Sequence, residues 1–331
     1  MVGSCSAAPS HHLRRRTLLG ALPLIAPLLA AAQPAWPTRS ITVIAPSGAG
    51  GGLDALARFV AGGISPMLGQ PVVVENKPGA NGAIGAQAVA RAAPDGYTLL
   101  MGDVGVLSIN PALFPRLPYD PQKELAPIAV VAKLPLVFVT GANSRFTSLK
   151  VLLQAARTSE LSLGSVGVGN ITHLTGANLE HAAGVHMVHV PYKGAPAVLA
   201  DVASGVVDVT ATSVVSAAEL IKGGRLRALA LAGDKRMPQL PGVPTVAEEG
   251  FPGFDNSSWI CLHAPAATPP EVVDLLYRSV ARLLASAEAR EWMDRKGYEV
   301  IGMNPEQTRA YSIAEQKRWS EVIRQGNVRA D

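Results

Sequence analysis

The segment ITVIAPSGAGGGLD, residues 41–54, constrains the fold of this chain more than any other stretch. Its β-branched opening, residues 41–44, predicts a buried strand. The strand gives way to Pro46, Ser47 and glycines at 48, 50, 51 and 52, and a helical pattern opens at Leu53 and runs to Leu68. Gly62, Gly63 and Pro66 weaken the second half of that helix. A strand, a glycine turn and a helix N-terminus leave backbone N–H groups converging on one place, where an anion is favoured. Residues 72–74 then predict a strand, 81–92 an alanine-rich helix closed by Pro94-Asp95-Gly96, and 97–101 a third strand. This βαβαβ order is that of a parallel sheet, and the fold class is α/β.

A proline-rich loop (Pro111, Pro115, Pro118, Pro121) leads to two further strands, 128–131 and 136–140. A second alternating series follows. Ser148 caps a helix to about Arg157, and strands are expected at 161–164, 187–190, 207–210 and 226–231, with helices at 172–182, 195–204 and 216–222. The end differs: one strand, 259–264, precedes helices over 270–286, 287–296 and 305–324. The 299 residues beyond the first 32 are many for one core. Two α/β domains are expected, 33–135 with 252–331 forming one and 136–251 inserted as the other. Strand crossings near 136–140 and 259–264 are the expected hinge, able to close on a ligand.

The first 32 residues read as an export signal. His11, His12, Arg14, Arg15 and Arg16 form a basic start, and 18–29 is apolar but too short to span a bilayer. Ala30, Ala31 and Ala32 offer a cleavage site, so the mature chain begins at Gln33 in the periplasm. Arg15-Arg16-Thr17-Leu18-Leu19 resembles a twin-arginine signal, and an ordinary secretory signal also fits. Residues 1–32 hold three of the 29 basic residues and none of the 25 acidic ones, which leaves 26 against 25. The mature chain is thus near neutral, and no nucleic-acid partner is implied. Only Cys261 follows residue 32, so no intrachain disulfide is expected.

Gly50, Gly52 and Ala55 satisfy G-x-G-x-x-A between a strand and a helix, and Glu75 stands where a ribose-binding acid belongs. An NAD(P)-binding oxidoreductase is therefore an alternative. Export away from the nicotinamide pool counts against it. So does Asp54, which would face a pyrophosphate with like charge. Glu75 also runs into a second glycine-rich turn, residues 76–82, better suited to shaping a cleft. Asp54 either caps its own loop or accepts a ligand's ammonium or hydroxyl.

A second strand–loop–helix junction, GSVGVGNITH over residues 164–173, repeats the device. Asn170 and Thr172 can cap the helix or meet an anion beside it. Two helix N-termini across a cleft suit a ligand carrying a carboxylate at one or both ends, each dipole contributing about 0.3–1 kcal/mol. His186 and His189, three apart on a strand, point to opposite faces, and H-E-x-x-H and paired cysteines are missing. Leu163 stands where a nucleophile elbow at Ser165 needs glycine. Nothing nominates catalysis, a metal or a cofactor.

PSGAGGGLDALAR, GQPVVVENKPGANGAIGAQAVARAAPDGYTLL, INPALFPRLPYDP, MVHVPYKGAPAVLADVASGVVDV, GGRLRALAL and LPGVPTVAEEGFPGF resemble, in order, the Bug (TctC) family. These are extracytoplasmic solute receptors of tripartite tricarboxylate transport systems. The resemblance implies a type II periplasmic-binding-protein fold with two α/β domains, a hinge and a central ligand cleft. It implies capture of a small carboxylate without chemistry, for membrane permease subunits; a sensor fed by an orphan receptor is the other outlet. A monomer is the default.

By the resemblance, the first-domain loop maps to Ser47, Gly48, Ala49, Gly50, Gly51 and Asp54. The loop after the third strand brings Asp103, and the second-domain anion site brings Ser165, Gly169, Asn170, Thr172 and His173. Tyr192 follows the VPYKG strand as a cleft wall, and Asp208 ends the VVD segment. Ser47, Gly50, Gly51, Asn170 and Thr172 are expected to grip the ligand, and Asp54 and Asp208 to organise loops. The chain departs from the family at Asp103-Val104-Gly105-Val106 and at residues 212–216. Those departures point to a carboxylate with an apolar or aromatic body rather than a citrate-like polyacid.

Overall fold

Short β-branched runs and alanine-rich helices alternate in the folded chain as they do in sequence. The computed structural model describes residues 1, 3–8, 36–326 and 328–329. The export-signal reading, from His11 to the cleavage site at Ala32, lies outside these residues. The chain divides into two units, Met1–Ala35 and Trp36–Asp331, and the second carries everything below.

Its first part is β1 (Ile41–Ala45), α1 (Gly52–Leu68), β2 (Val72–Asn76), α2 (Ala83–Ala90) and β3 (Thr98–Asp103). A π-helical turn, Gly105–Ile109, runs into the short α3 (Asn110–Leu113) before β4 (Leu125–Leu134). The middle part is β5 (Leu136–Gly141), α4 (Leu149–Ala156), β6 (Ser162–Ser165), α5 (Ile171–Ala183) and β7 (Val188–Pro191). It continues through α6 (Ala195–Ser204), β8 (Val209–Ser213), α7 (Val214–Lys222) and β9 (Leu226–Leu231). The last part is β10 (Ser258–Pro265), α8 (Pro270–Ala285), α9 (Ala287–Lys296), β11 (Glu299–Met303) and α10 (Pro305–Gln325).

Two sheets result. The first has the order β11-β4-β10-β3-β1-β2 and the second β7-β6-β8-β5-β9. In the first, β1 runs parallel to β2 and β3, while β10 runs antiparallel to β3 and β4. In the second, β6 runs parallel to β7 and β8, while β5 runs antiparallel to β8 and β9. Each sheet is thus a parallel βαβ core completed by a strand that has just crossed from the other. The crossings lie at Pro135, between β4 and β5, and at residues 232–257, between β9 and β10. They precede the strands that the sequence pattern marked. Pro135 O accepts from Val214 N (3.1 Å), Leu136 O from Ala232 N (2.8 Å) and Ala232 O from Asn256 N (2.7 Å), which binds the two crossings together.

α1 runs to Leu68 as expected, through Gly62, Gly63 and Pro66, and two other local outcomes differ from the sequence expectation. A Cβ at Gly63 would sit 2.5 Å from Leu283 Cδ1, so the missing side chain is what lets α8 lie against α1. β8 lies two to three residues later than expected, and β11 was not expected at all. β11 is short and half-buried, with Gly302 in left-handed backbone (φ 71°), and is ordered by antiparallel pairing with β4.

One hydrophobic cluster runs from Ile44 and Leu100 in the first sheet to Phe138 and Leu163 in the second. α10 closes it with the fully buried Trp319. Glu315, one turn earlier, accepts from both Trp259 Nε1 and Trp319 Nε1 at 3.1 Å and pairs with Arg318 at 2.8 Å. Arg318 in turn donates to Asp255 O (2.8 Å) on the second crossing. Among the described residues no helix is long and apolar enough to cross a membrane.

Candidate functional site

The C-terminal ends of the parallel strands carry the glycine junctions. At the first, Gly48, Ala49 and Gly50 are exposed between β1 and α1. Gly51 is the N-cap of α1 and has no side chain to offer the helix. The N–H groups of Gly52, Leu53 and Asp54 therefore lack intrahelical partners. The loop's shape is set from behind by Asp54, which is 4% exposed. Its Oδ2 accepts from Gly50 N (2.9 Å) and Arg58 Nε (3.2 Å), and its Oδ1 from Asn76 Nδ2 (2.9 Å) and Arg58 Nη2 (3.0 Å). Burial opposes the charge of Asp54, but the bonds from Gly50, Arg58 and Asn76 outweigh it and hold the carboxyl below its ordinary value. Asn76 also donates to Ser47 O (3.1 Å), and Tyr298 OH to Gly52 O (2.6 Å). Ser47 Oγ is buried and has no hydrogen-bond partner among the described residues.

Asp103 ends β3, the strand beside β1, and in the register Ile44↔Leu100 it reaches the same level of the sheet edge as Ser47. Burial pushes its carboxyl up, and bonds from Val106, Gly105 and its own N–H offset part of that. Its Oδ1 accepts from Val106 N at 3.2 Å, which starts the π-helical turn.

The second junction spends its donors internally. Asn170 Oδ1 caps α5 by accepting from Thr172 N (3.1 Å) and Thr172 Oγ1 (3.1 Å), and Thr172 Oγ1 accepts from Val166 N (3.0 Å). Gly167 N donates to Ser165 Oγ (3.2 Å) and Gly169 N to His173 Nδ1 (3.1 Å). His173 stacks on His189, ring centroids 3.6 Å apart, and Ser165 Oγ lies 2.6 Å from His189 Nε2. Burial, then the neighbouring His189, lowers His173 to about 4; burial lowers His189 as well. Both rings are thus neutral near pH 7, and the Gly169 bond requires the Nδ1 of His173 to be the acceptor.

The second junction meets the turn after β2 through Asn81. Asn170 Nδ2 donates to Asn81 Oδ1 (3.3 Å), and Asn81 Nδ2 lies 3.5 Å from Gly169 O. Gly169, at φ 70°, passes so close to α3 that a Cβ there would be 2.0 Å from Leu113 Cδ2.

Two expected residues spend their polar side-chain atoms on neighbouring elements. Tyr192 OH donates to Asp201 Oδ2 (2.6 Å) on α6, which raises Tyr192 to about 12. Asp208 precedes β8, and its Oδ2 accepts from Ser162 N and Oγ, both at 2.8 Å, at the start of β6. That is the strand end opposite to Ser165, roughly 10 Å away along β6. Glu75, the acid of the dinucleotide alternative, is largely exposed and pairs with Lys77 at 3.2 Å. Among the described residues no group of three or more His, Cys, Asp or Glu could hold a metal. Sequence reasoning missed Arg58, Asn81 and the His173–His189 stack; only Asn76 and Asn81 carried a signal, as members of the second glycine-rich turn.

A family model, TctC, described as "Tripartite tricarboxylate transporter family receptor", matches residues 56–328. Protein BugT of Bordetella pertussis is 36% identical over 293 residues, covering 88% of this chain and 90% of BugT. The R. palustris protein Rpa4515, solved with adipate, superposes with a TM-score of 0.85 at 33% identity, covering 89% of this chain and 99% of that one. MatC from Rhodopseudomonas palustris, solved with bound malate, gives a TM-score of 0.81 at 31% identity, covering 87% of this chain and 100% of MatC. The mixed α/β architecture with two sheets is shared with these structures.

Proposed function

The chain belongs to the tripartite tricarboxylate transporter receptor family, and from that premise we propose that it is an exported periplasmic receptor. It captures one small carboxylate between its two sheets and passes it to membrane permease subunits, with no chemistry or cofactor of its own. Each sheet with its helices acts as a domain, 33–135 and 252–331 against 136–251. The crossings at Pro135 and 232–257 act as the hinge. One ligand needs one cleft, so the receptor works as a monomer.

The observation that carries this reading is the open N-terminus of α1. Its cap residue has no side chain, and among the described residues its first N–H groups are unspent and the hydroxyl of Ser47 beside it has no partner. A carboxylate supplies what each of these lacks. Asp54 does not compete for the site, because both of its oxygens are held by the loop and Arg58 offsets its charge.

The adipate and malate of the related structures are both dicarboxylates. Asp103, at the same sheet edge as Ser47, disfavours a ligand with several carboxylates close together. The second junction has few unspent N–H groups for another. We therefore place an apolar or aromatic body, as in adipate, ahead of a citrate-like polyacid.

The test is the thermal unfolding midpoint of the purified protein with adipate, malate, citrate, benzoate, NAD and NADP. A ligand at 100 times its dissociation constant stabilises by about 2.7 kcal/mol. A shift with adipate or benzoate, and none with the dinucleotides, is expected. A shift with NAD alone would overturn the receptor reading. Tight binding of citrate without adipate or benzoate would overturn the ligand class only.

A further inference from the structure

Asn81 is in left-handed backbone (φ 50°, ψ 39°), and so is Ala80 before it (φ 47°). Two consecutive non-glycine residues there cost roughly 1–2 kcal/mol each, so something must hold them. Asn110, fully buried, does so from both sides: its Oδ1 accepts from Asn81 Nδ2 (2.8 Å) and its Nδ2 donates to Asn81 O (3.0 Å). Asn110 is itself fixed by Tyr119, whose hydroxyl donates to Val106 O at 2.6 Å. The outcome of this clamp is a carboxamide held out from the first lobe toward the second.

There it meets the glycine loop of the second junction. Asn81 Oδ1 accepts from Asn170 Nδ2, and the remaining hydrogen of Asn81 Nδ2 faces Gly169 O. The orientation is fixed by its partners. Flipping the amide would set its nitrogen against Asn170 Nδ2 and its oxygen against two acceptors. Asn170 is thereby held in the rotamer whose oxygen caps α5. Leu113, on the same side as Asn110, fills the space beside Gly169.

We propose that Asn81 is a closure latch, a positioning residue that joins the first lobe to the anion loop of the second and slows ligand escape. This rests on the capture reading above. It adds that the contact is built from protein groups alone, so part of the closing free energy is independent of which carboxylate is bound. The bonds across the mouth are long, and the latch accordingly acts on dissociation by a modest factor rather than deciding whether ligand binds.

Asn81→Gly tests it, because glycine keeps the left-handed backbone and removes only the carboxamide. Asn170→Asp is the second variant: it keeps the cap on Thr172 and turns the donor facing Asn81 Oδ1 into an acceptor. Small-angle scattering of ligand-free protein reads the lobe separation, and stopped-flow with adipate, then malate, reads the rates. Circular dichroism confirms that the variants are folded. The expected result is a larger radius of gyration in both variants, or adipate dissociation faster by about three- to tenfold in Asn81→Gly with little change in association. Folded variants with unchanged radius and unchanged dissociation would overturn the latch and leave the receptor reading intact. An expanded radius in variants of a protein that binds no carboxylate would support the latch and sink the receptor reading instead.

Discussion

The two strand–glycine–helix junctions are built from similar residues and end in opposite states. At the first, the acid that shapes the loop comes from inside the helix and is fed by residues behind it, Arg58 and Asn76. At the front of the loop only Gly50 N is spent, on Asp54; the N–H groups of Gly48, Ala49 and Gly51 have no partner among the described residues. At the second, the cap is Asn170 itself, and Thr172, Ser165 and His173 take up the N–H groups of the loop. The difference lies in where the organising side chain stands. An organiser behind the turn leaves an anion site open, and one within the turn fills it. The first junction is therefore suited to gripping a ligand, and the second to closing over it.

The sharpest way to break this comparison is a methyl group in each loop. Gly50→Ala meets nothing within 4 Å and costs only its left-handed backbone, about 1 kcal/mol, in chemical denaturation. Gly169→Ala meets Leu113 and should cost about 3 kcal/mol, with part restored by Leu113→Ala in the double variant. Equal losses at the two positions would contradict the packing described for α3.

Asp54→Ala should cost about 2 kcal/mol, since Gly50 N and Asn76 lose their acceptor while Arg58, half in water, does not suffer. Asn170→Ala removes one cap and should cost about 1 kcal/mol. Carboxylate affinity should fall more with the Asp54 variant than with the Asn170 variant, as read by calorimetry. The reverse order would make the second junction the gripping one.

The histidine pair sharpens the contrast through pH. His173 titrates near 4 in the folded protein, below its ordinary 6.5, so the fold favours the neutral ring. Its contribution is complete above pH 6.5 and is lost as the pH falls toward 4. The midpoint of thermal unfolding should therefore fall more steeply over that window in wild type than in His173→Gln. The smallest effect on stability belongs to Ser47→Ala. Its hydroxyl has no partner among the described residues to lose, so the free protein should change by no more than about 0.5 kcal/mol. Carboxylate affinity should nonetheless drop about five- to tenfold.

Much of this architecture was legible because its signals are local. β1, its glycine turn and α1 occupy adjacent residues, and a β-branched run followed by glycines needs no distant partner to be read. β11 was not legible: Glu299 to Met303 becomes a strand only because β4 offers it an edge. The site divides the same way. Ser47, the glycines and Asp54 are contiguous, and the sequence marks them. Arg58 lies one turn beyond Asp54, but its role depends on Asn76, a strand away. His173 and His189 lie on a helix and a strand, and no spacing rule connects them. Asn81 could be placed in a turn, but its reach across to Asn170 follows from how the two lobes meet.

The strand order of the first sheet also dictates when the chain can be finished. β4 does not touch β3; β10 lies between them, and β11 covers the far edge of β4. All three come together only after the entire second sheet has been made, whereas that sheet draws its strands from one unbroken stretch. During synthesis the second lobe can reach its native pairing early. The first lobe must wait with β4 unpaired until the last strands and α10 emerge. Such long-range pairing is slow and leaves an apolar edge exposed meanwhile. A chaperone that binds extended apolar segments would accordingly find residues 125–134 an available target through that interval.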